Sequence, residues 1–249
     1  GKRLSWPDDY FSFYSELSYQ LYLMKDWPYM ILTDGNSHNL ALNFRLMRSS
    51  IDNPIYTRRG SQFTLGLKIT PPYSLIKGTT DAQYAQMSAT EKYNLLEYHK
   101  WSFSGKVFTP LTPDSKLILM ARADFGYLGH YNKNVKSPFE SFYMGGDGMS
   151  SYSSYSTEYI SMRGYQSGSL TPYDPATGRN MGYVYNKFTM ELRYPIALEQ
   201  NATIWALAFL EAGNCFADIK DYNPFNLKRS AGVGVRLFLP MFGLMGIDW

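Results

Sequence analysis

Several absences narrow the sequence before any motif is considered. No run of about 18 apolar residues occurs, so no helix of this chain is built to cross a bilayer. One cysteine, Cys215, excludes an internal disulfide framework and a cysteine-ligated zinc site. Three histidines, His38, His99 and His130, show no HxxxH-like metal spacing, and His99 reads as a solvated loop-end residue. Charged residues make up only 18% of the chain, against roughly 25% in an ordinary soluble domain. The formal net charge of +3, with no long Lys/Arg run, argues against a nucleic-acid partner. Residues 1–20 lack the apolar core of a signal peptide, which says nothing about compartment if the chain is part of a longer product.

Enzyme signals are just as sparse. GYQSG at 164–168 puts Ser167 at the wrong offset for a nucleophile elbow. No glycine-rich phosphate loop leads from a strand into a helix. The expectation is a protein that is not an enzyme and takes no cofactor.

What is abundant is aromatic: 17% of the 249 residues, with 22 Tyr, 15 Phe and 5 Trp. These residues sit in strand-like alternation of period two. In 39–46, Leu40, Leu42, Phe44 and Leu46 share one face and Asn39, Ala41, Asn43 and Arg45 the other. The same holds for 62–69 and 187–194, and less purely for 10–22, 100–109, 116–127, 203–213 and 229–239, before a last run at 243–249. That makes about nine strands of a length suited to crossing a bilayer at a tilt. Connections alternate between short, turn-rich ones near 52–60, 109–114, 195–201 and 240–243 and long ones at 23–37, 70–99, 128–183 and 216–228. Short turns at one end and long loops at the other are the habit of outer-membrane barrels. The polar faces carry mid-strand charges: Arg45, Lys68, Lys106, Arg122, Asp124, Lys187, Glu191, Arg193 and Arg236. A soluble sandwich would turn these to water and a barrel to a wet lumen. Large apolar outer residues, unequal loops and aromatics near strand ends (Trp6, Tyr10, Trp101, Tyr127, Tyr183, Tyr194) favour the barrel.

Four short segments carry more specific information. They are Tyr56-Thr57-Arg58-Arg59-Gly60-Ser61-Gln62-Phe63, Phe142-Tyr143-Met144-Gly145-Gly146, Met162-Arg163-Gly164-Tyr165 and Phe209-Leu210-Glu211-Ala212-Gly213. In this order the chain resembles the C-terminal barrel of the BamA, TamA and two-partner-secretion superfamily. The resemblance implies an all-β, transmembrane antiparallel barrel of 16 strands, of which this chain would cover about nine, from about the seventh to the fifteenth. Residues 1–249 would then be part of one barrel domain, with POTRA domains, early strands and the closing strand outside it. It also implies that loop 128–183 folds into the lumen, where Arg163 meets Glu211, Gly164 allows a tight path and Tyr165 packs the loop to the wall. The long spacing from Gly146 to Met162 marks a local insertion. If Glu211 faces inward, so do Phe209, Leu207 and Trp205, while Leu210, Ala208, Ala206 and Ile204 face outward.

The implied function is that of a core component of the barrel-assembly machinery, folding and inserting β-barrel proteins into the bacterial outer membrane. A TamA-like or two-partner-secretion transporter, or a passive pore, stands as the alternative. Implied partners are nascent outer-membrane barrel proteins, accessory lipoproteins or other outer-membrane subunits, periplasmic chaperones, and the bilayer with its lipopolysaccharide.

Overall fold

The computed structural model describes residues 1–26, 32–147, 157–175, 178–199 and 201–249. Its strands are β1 (Lys2–Arg3), β2 (Phe11–Met24), β3 (Gly35–Ser49), β4 (Gly60–Ile69), β5 (His99–Pro110), β6 (Ile118–Gly129), β7 (Ser141–Met144), β8 (Thr157–Ile160), β9 (Tyr173–Asp174), β10 (Arg179–Asn180), β11 (Val184–Leu198), β12 (Thr203–Phe216), β13 (Lys228–Leu239) and β14 (Gly243–Asp248). Ten of them form one sheet in the order β1-β2-β3-β4-β5-β6-β11-β12-β13-β14. Every pairing in it is antiparallel and every long strand lies beside its neighbour in sequence, except that β6 passes to β11 across the long loop. The nine long strands fall where the period-two pattern predicts them, and the two-residue β1 adds a tenth.

The alternation has the sense of an inside-out sheet. Along β11, Phe188, Met190, Leu192, Tyr194, Ile196 and Leu198 are exposed, whereas Lys187, Thr189 and Glu191 are buried. On β12 Leu210 is 59% exposed while Trp205, Leu207, Phe209 and Glu211 are buried. In a soluble domain the polar side would be the wet one. Burial of the polar side has a plain cause: the segment between β6 and β11 lies over it.

Two apolar clusters fill the covered face. One joins Phe142, Met144 and Met162 of the loop to Tyr98, Leu128, Tyr185 and Cys215 of the wall. The other joins Phe108, Ile118, Met120, Trp205, Leu207 and Phe209 to Tyr56. Tyr56 comes from the turn between β3 and β4, and its ring meets Trp205 edge-on at 5.5 Å. It closes this face at the short-turn rim.

The stretch 70–99 differs from the plain loop expected. It carries three short helices, α1 (Tyr73–Lys77), α2 (Asp81–Gln86) and α3 (Ala89–Lys92). The last two begin with capping boxes, Thr80 with Gln83 and Ser88 with Glu91. His99 is not a solvated loop residue either. It starts β5, half-buried, with its ring beside those of Tyr127 and Tyr131, and its Nδ1 accepts a hydrogen bond from the Trp101 indole N–H at 3.2 Å.

Candidate functional site: a loop docked on the inner wall

Antiparallel register sets the wall. Glu211 on β12 stands opposite Thr189 on β11 and Ser230 on β13, and Glu191 stands opposite Phe209. Side chains two residues apart share a face, so Lys187, Thr189, Glu191 and Arg193 form a polar ladder beside Phe209 and Glu211.

Arg163 comes down onto this ladder. Its Nε and Nη2 donate to Glu211 Oε1 at 3.0 and 2.8 Å, and its backbone N–H donates to Glu211 Oε2 at 2.8 Å. Nη2 also donates to Glu191 Oε1 at 2.9 Å. The guanidinium lies over the Phe209 ring, 3.7 Å from its centroid, a close cation–π stack. Lys187 Nζ sits 3.0 Å from Glu211 Oε1 and donates to the Ser161 carbonyl of the loop. Arg193 donates twice to Glu191 Oε2, at 2.8 and 2.6 Å. Arg236 forms a bidentate pair with Asp248 at 2.7 Å for each bond, and Arg163 Nη1 lies 3.8 Å from Asp248. The cations Arg163, Lys187, Arg193 and Arg236 thus share the carboxylates Glu191, Glu211 and Asp248. Burial of Glu211 is tolerable because each of its oxygens has a charged or backbone donor.

The loop reaches this place as a ribbon. β7 and β8 pair in parallel, Ser141 with Thr157 through Met144 with Ile160. Beyond them Gly145 N–H donates to Ile160 O, Met162 N–H to Gly146 O and Gly146 N–H to Tyr165 O. The double glycine is required by geometry: Gly145 has φ +126°, and a Cβ there would stand 2.3 Å from the Gln166 carbonyl oxygen. Gly145→Ala is therefore expected to cost at least about 1–3 kcal/mol, read as a lowered urea midpoint of the vesicle-reconstituted protein. On the wall, a Cβ at Gly213 would meet Met144 Cε at 2.7 Å, so the glycine two residues after Glu211 makes room for the first motif. Gly164 turns with φ +81° against Ser230, and the Tyr165 hydroxyl donates to the Arg229 carbonyl at 2.9 Å.

A second group of ions holds the loop's other end. Glu140 accepts from Lys68 on β4 and from Lys100 on β5, the latter at 3.0 Å, and Lys100 also reaches Glu158 on β8 at 2.7 Å. Burial alone would raise the Glu140 carboxyl, but the Lys100 and Lys68 ammoniums beside it outweigh that and hold it below its ordinary value. A carboxyl depressed in the folded state contributes stability above its unfolded value of about 4.3 and loses it as pH falls through the folded one. The urea midpoint of the vesicle-reconstituted protein is thus expected to lose the Glu140 contribution only as pH falls below about 4.3, read as the difference from Glu140→Gln; a difference that fades already near pH 5 would contradict this.

Of the residues picked from the sequence, Gly145, Gly146, Met162, Arg163, Gly164, Tyr165, Phe209, Glu211 and Gly213 all come together in one place. The sequence does not single out Glu140, Glu158, Lys100, Glu191 as a second acceptor for Arg163, or Asp248. Glu191 has a usable signal, since it is a mid-strand acid on the polar face. Among the described residues no group of His, Cys, Asp and Glu could hold a metal ion.

Apolar side chains on the exposed face, charges on the covered one, short turns at one end of the strands and a loop pinned to the covered face match the pattern of outer-membrane β-strands. The chain belongs to the Omp85 superfamily, whose domain model matches residues 7–249. Among solved structures it is similar to the crystal structure of BamA from Haemophilus ducreyi lacking POTRA domains 1–3, with a TM-score of 0.64 and 16% sequence identity. The match covers 98% of this chain and 48% of that one, so the chain spans about half the length of that protein. A comparison with the curated proteins gives no match.

Proposed function

We propose that this chain forms an arc of a 16-stranded barrel in the bacterial outer membrane, and that the barrel folds and inserts other β-barrel proteins there. The observation that carries the reading is the loop held by Arg163 on Glu211 and Glu191, which fills the polar face that a wide aqueous pore would leave open. On this reading the exposed face of β11 and β12 meets lipid, and the buried ion network stiffens one side of the barrel. Stiffness on one side lets strand exchange with a client occur elsewhere on the rim, by backbone pairing to a free edge. Insertion of this kind needs no catalytic group, and no cofactor enters it. Its partners are unfolded barrel proteins, the chaperones that deliver them, accessory outer-membrane lipoproteins, and the bilayer with its lipopolysaccharide.

The test is reconstitution of the full-length protein in lipid vesicles with an unfolded outer-membrane barrel protein as client. Faster client folding than in empty vesicles is expected, read by the heat-modifiable gel shift. Unchanged client folding, together with passage of a soluble passenger across the vesicle wall, would overturn the reading in favour of a secretion transporter.

A further inference from the structure

One ammonium holds both strands of the loop ribbon. Lys100 is only 8% exposed, yet its Nζ bonds Glu140, just before β7, and Glu158, within β8. It also lies 4.9 Å from the centroid of the Phe142 ring, the first residue of the double-glycine motif. Glu140 takes a left-handed backbone conformation, φ +69°, which residues other than glycine rarely adopt. Such strain persists only where surrounding contacts over-determine it, and here Lys68 and Lys100 do so. From Lys100 the two strands run side by side in the same direction. At their far end Met162 is bonded to Gly146, and the next residue is Arg163.

Lys100 on β5 and Glu211 on β12 are three strand spacings apart, about 14 Å across the sheet. The register puts Glu211 level with Lys106, six residues or about 20 Å further along the strands than Lys100, so the two are about 25 Å apart. Extended chain from Glu158 to Arg163 covers about 17 Å of this, and the long Lys100, Glu158 and Glu211 side chains bridge the remainder. Between these ends the ribbon is also tied by the Phe142–Gly182 backbone bridge and by Lys187 on the Ser161 carbonyl, and Lys100 is the one group that bonds both of its strands at the Glu140 end.

We propose that Lys100 is the second anchor of the loop and a positioning residue for Arg163: by clamping Glu140 and Glu158 together it sets how far the ribbon extends, and so places the guanidinium on Glu211. This rests on the reading that the loop stays docked in the working protein.

Cys215 gives a native probe. It is buried beneath the loop, packed in the cluster that holds Phe142, Met144 and Met162. The experiment measures the rate of Cys215 labelling by a small maleimide in membranes holding the full-length protein with any cysteine outside this chain replaced. Lys100→Met is expected to raise the rate about tenfold or more, the scale of a lost charged hydrogen bond, and Glu158→Gln, whose amide oxygen still accepts from Lys100, about two- to fivefold. Lys100→Arg, which keeps the charge, is expected to stay near the wild-type rate, as is Lys116→Met on the exposed short-turn rim. Glu158→Gln leaves a half-exposed amide and is the variant to rely on if Lys100→Met does not fold. Wild-type labelling in Lys100→Met and Glu158→Gln beside fast labelling in Glu211→Ala would overturn the proposal, leaving the loop held from the Glu211 end alone. Fast labelling already in the wild-type protein would overturn the docked-loop reading itself, and slow labelling in all three variants would overturn the proposal, the loop then being held by its other contacts.

Discussion

Glu211→Ala is expected to be among the most damaging single substitutions in this chain, lowering stability by about 3–5 kcal/mol and, under the proposed function, cutting the assembly of client barrels with it. The carboxylate accepts from Arg163 three times and from Thr189, and it pairs with Lys187. Its removal leaves Lys187 with no carboxylate and Arg163 with Glu191 as its one close acceptor in a covered space, and the uncompensated charge costs more than the lost bonds. Arg163→Ala should also be harmful, though less so, because Glu211 keeps Lys187 and Thr189. The double variant should be no worse than Glu211→Ala alone, since both changes break one contact. Adding Lys187→Met to Glu211→Ala should recover part of the loss by removing a stranded charge. Urea midpoints of the vesicle-reconstituted protein measure all four. Losses that add in the double variant would break the link between Arg163 and Glu211.

Leu210→Arg is the second large expected effect, about 2–4 kcal/mol. Leu210 neighbours Glu211 on β12 and points the opposite way, 59% exposed. If that face met water, an arginine there would change stability by no more than about 0.5 kcal/mol. Against hydrocarbon it must carry a charge into a medium that cannot solvate it. Leu75→Arg supplies the comparison. Leu75 is 64% exposed on α1 in the long loop between β4 and β5, and the change should be silent there. Equal effects at the two positions would remove the lipid-facing reading of the outer face.

The strands are legible in the sequence because period two is a local property. Phe188, Met190 and Leu192 alternate with Lys187, Thr189 and Glu191 whatever lies across the sheet. The same rule puts Trp205, Leu207 and Phe209 on one side with Glu211, an apolar stripe that makes sense only under a covering loop. Arg163 with Glu211 can be matched only through short motifs and a family resemblance, since their separation of 48 residues leaves no local trace. The Lys100 anchor leaves none at all. Its partners come from two passes of one loop, and their meeting depends on how that loop is folded. The helices at 70–99 escape for another reason: their signal lies in the capping pairs Thr80 with Gln83 and Ser88 with Glu91, while the runs between them are too short to show a helical period.

The parallel sense of β7 and β8 has a consequence for how this loop can change over evolutionary time. In a hairpin, residues added at the tip shift the register of both arms. Here the chain makes two inward passes, and register is held by cross-bonds between them, from Ser141 with Thr157 down to Gly146 with Met162. Residues can therefore be inserted between the two passes without moving Arg163, whereas the return along the parallel ribbon sets a lower limit on the connection's length.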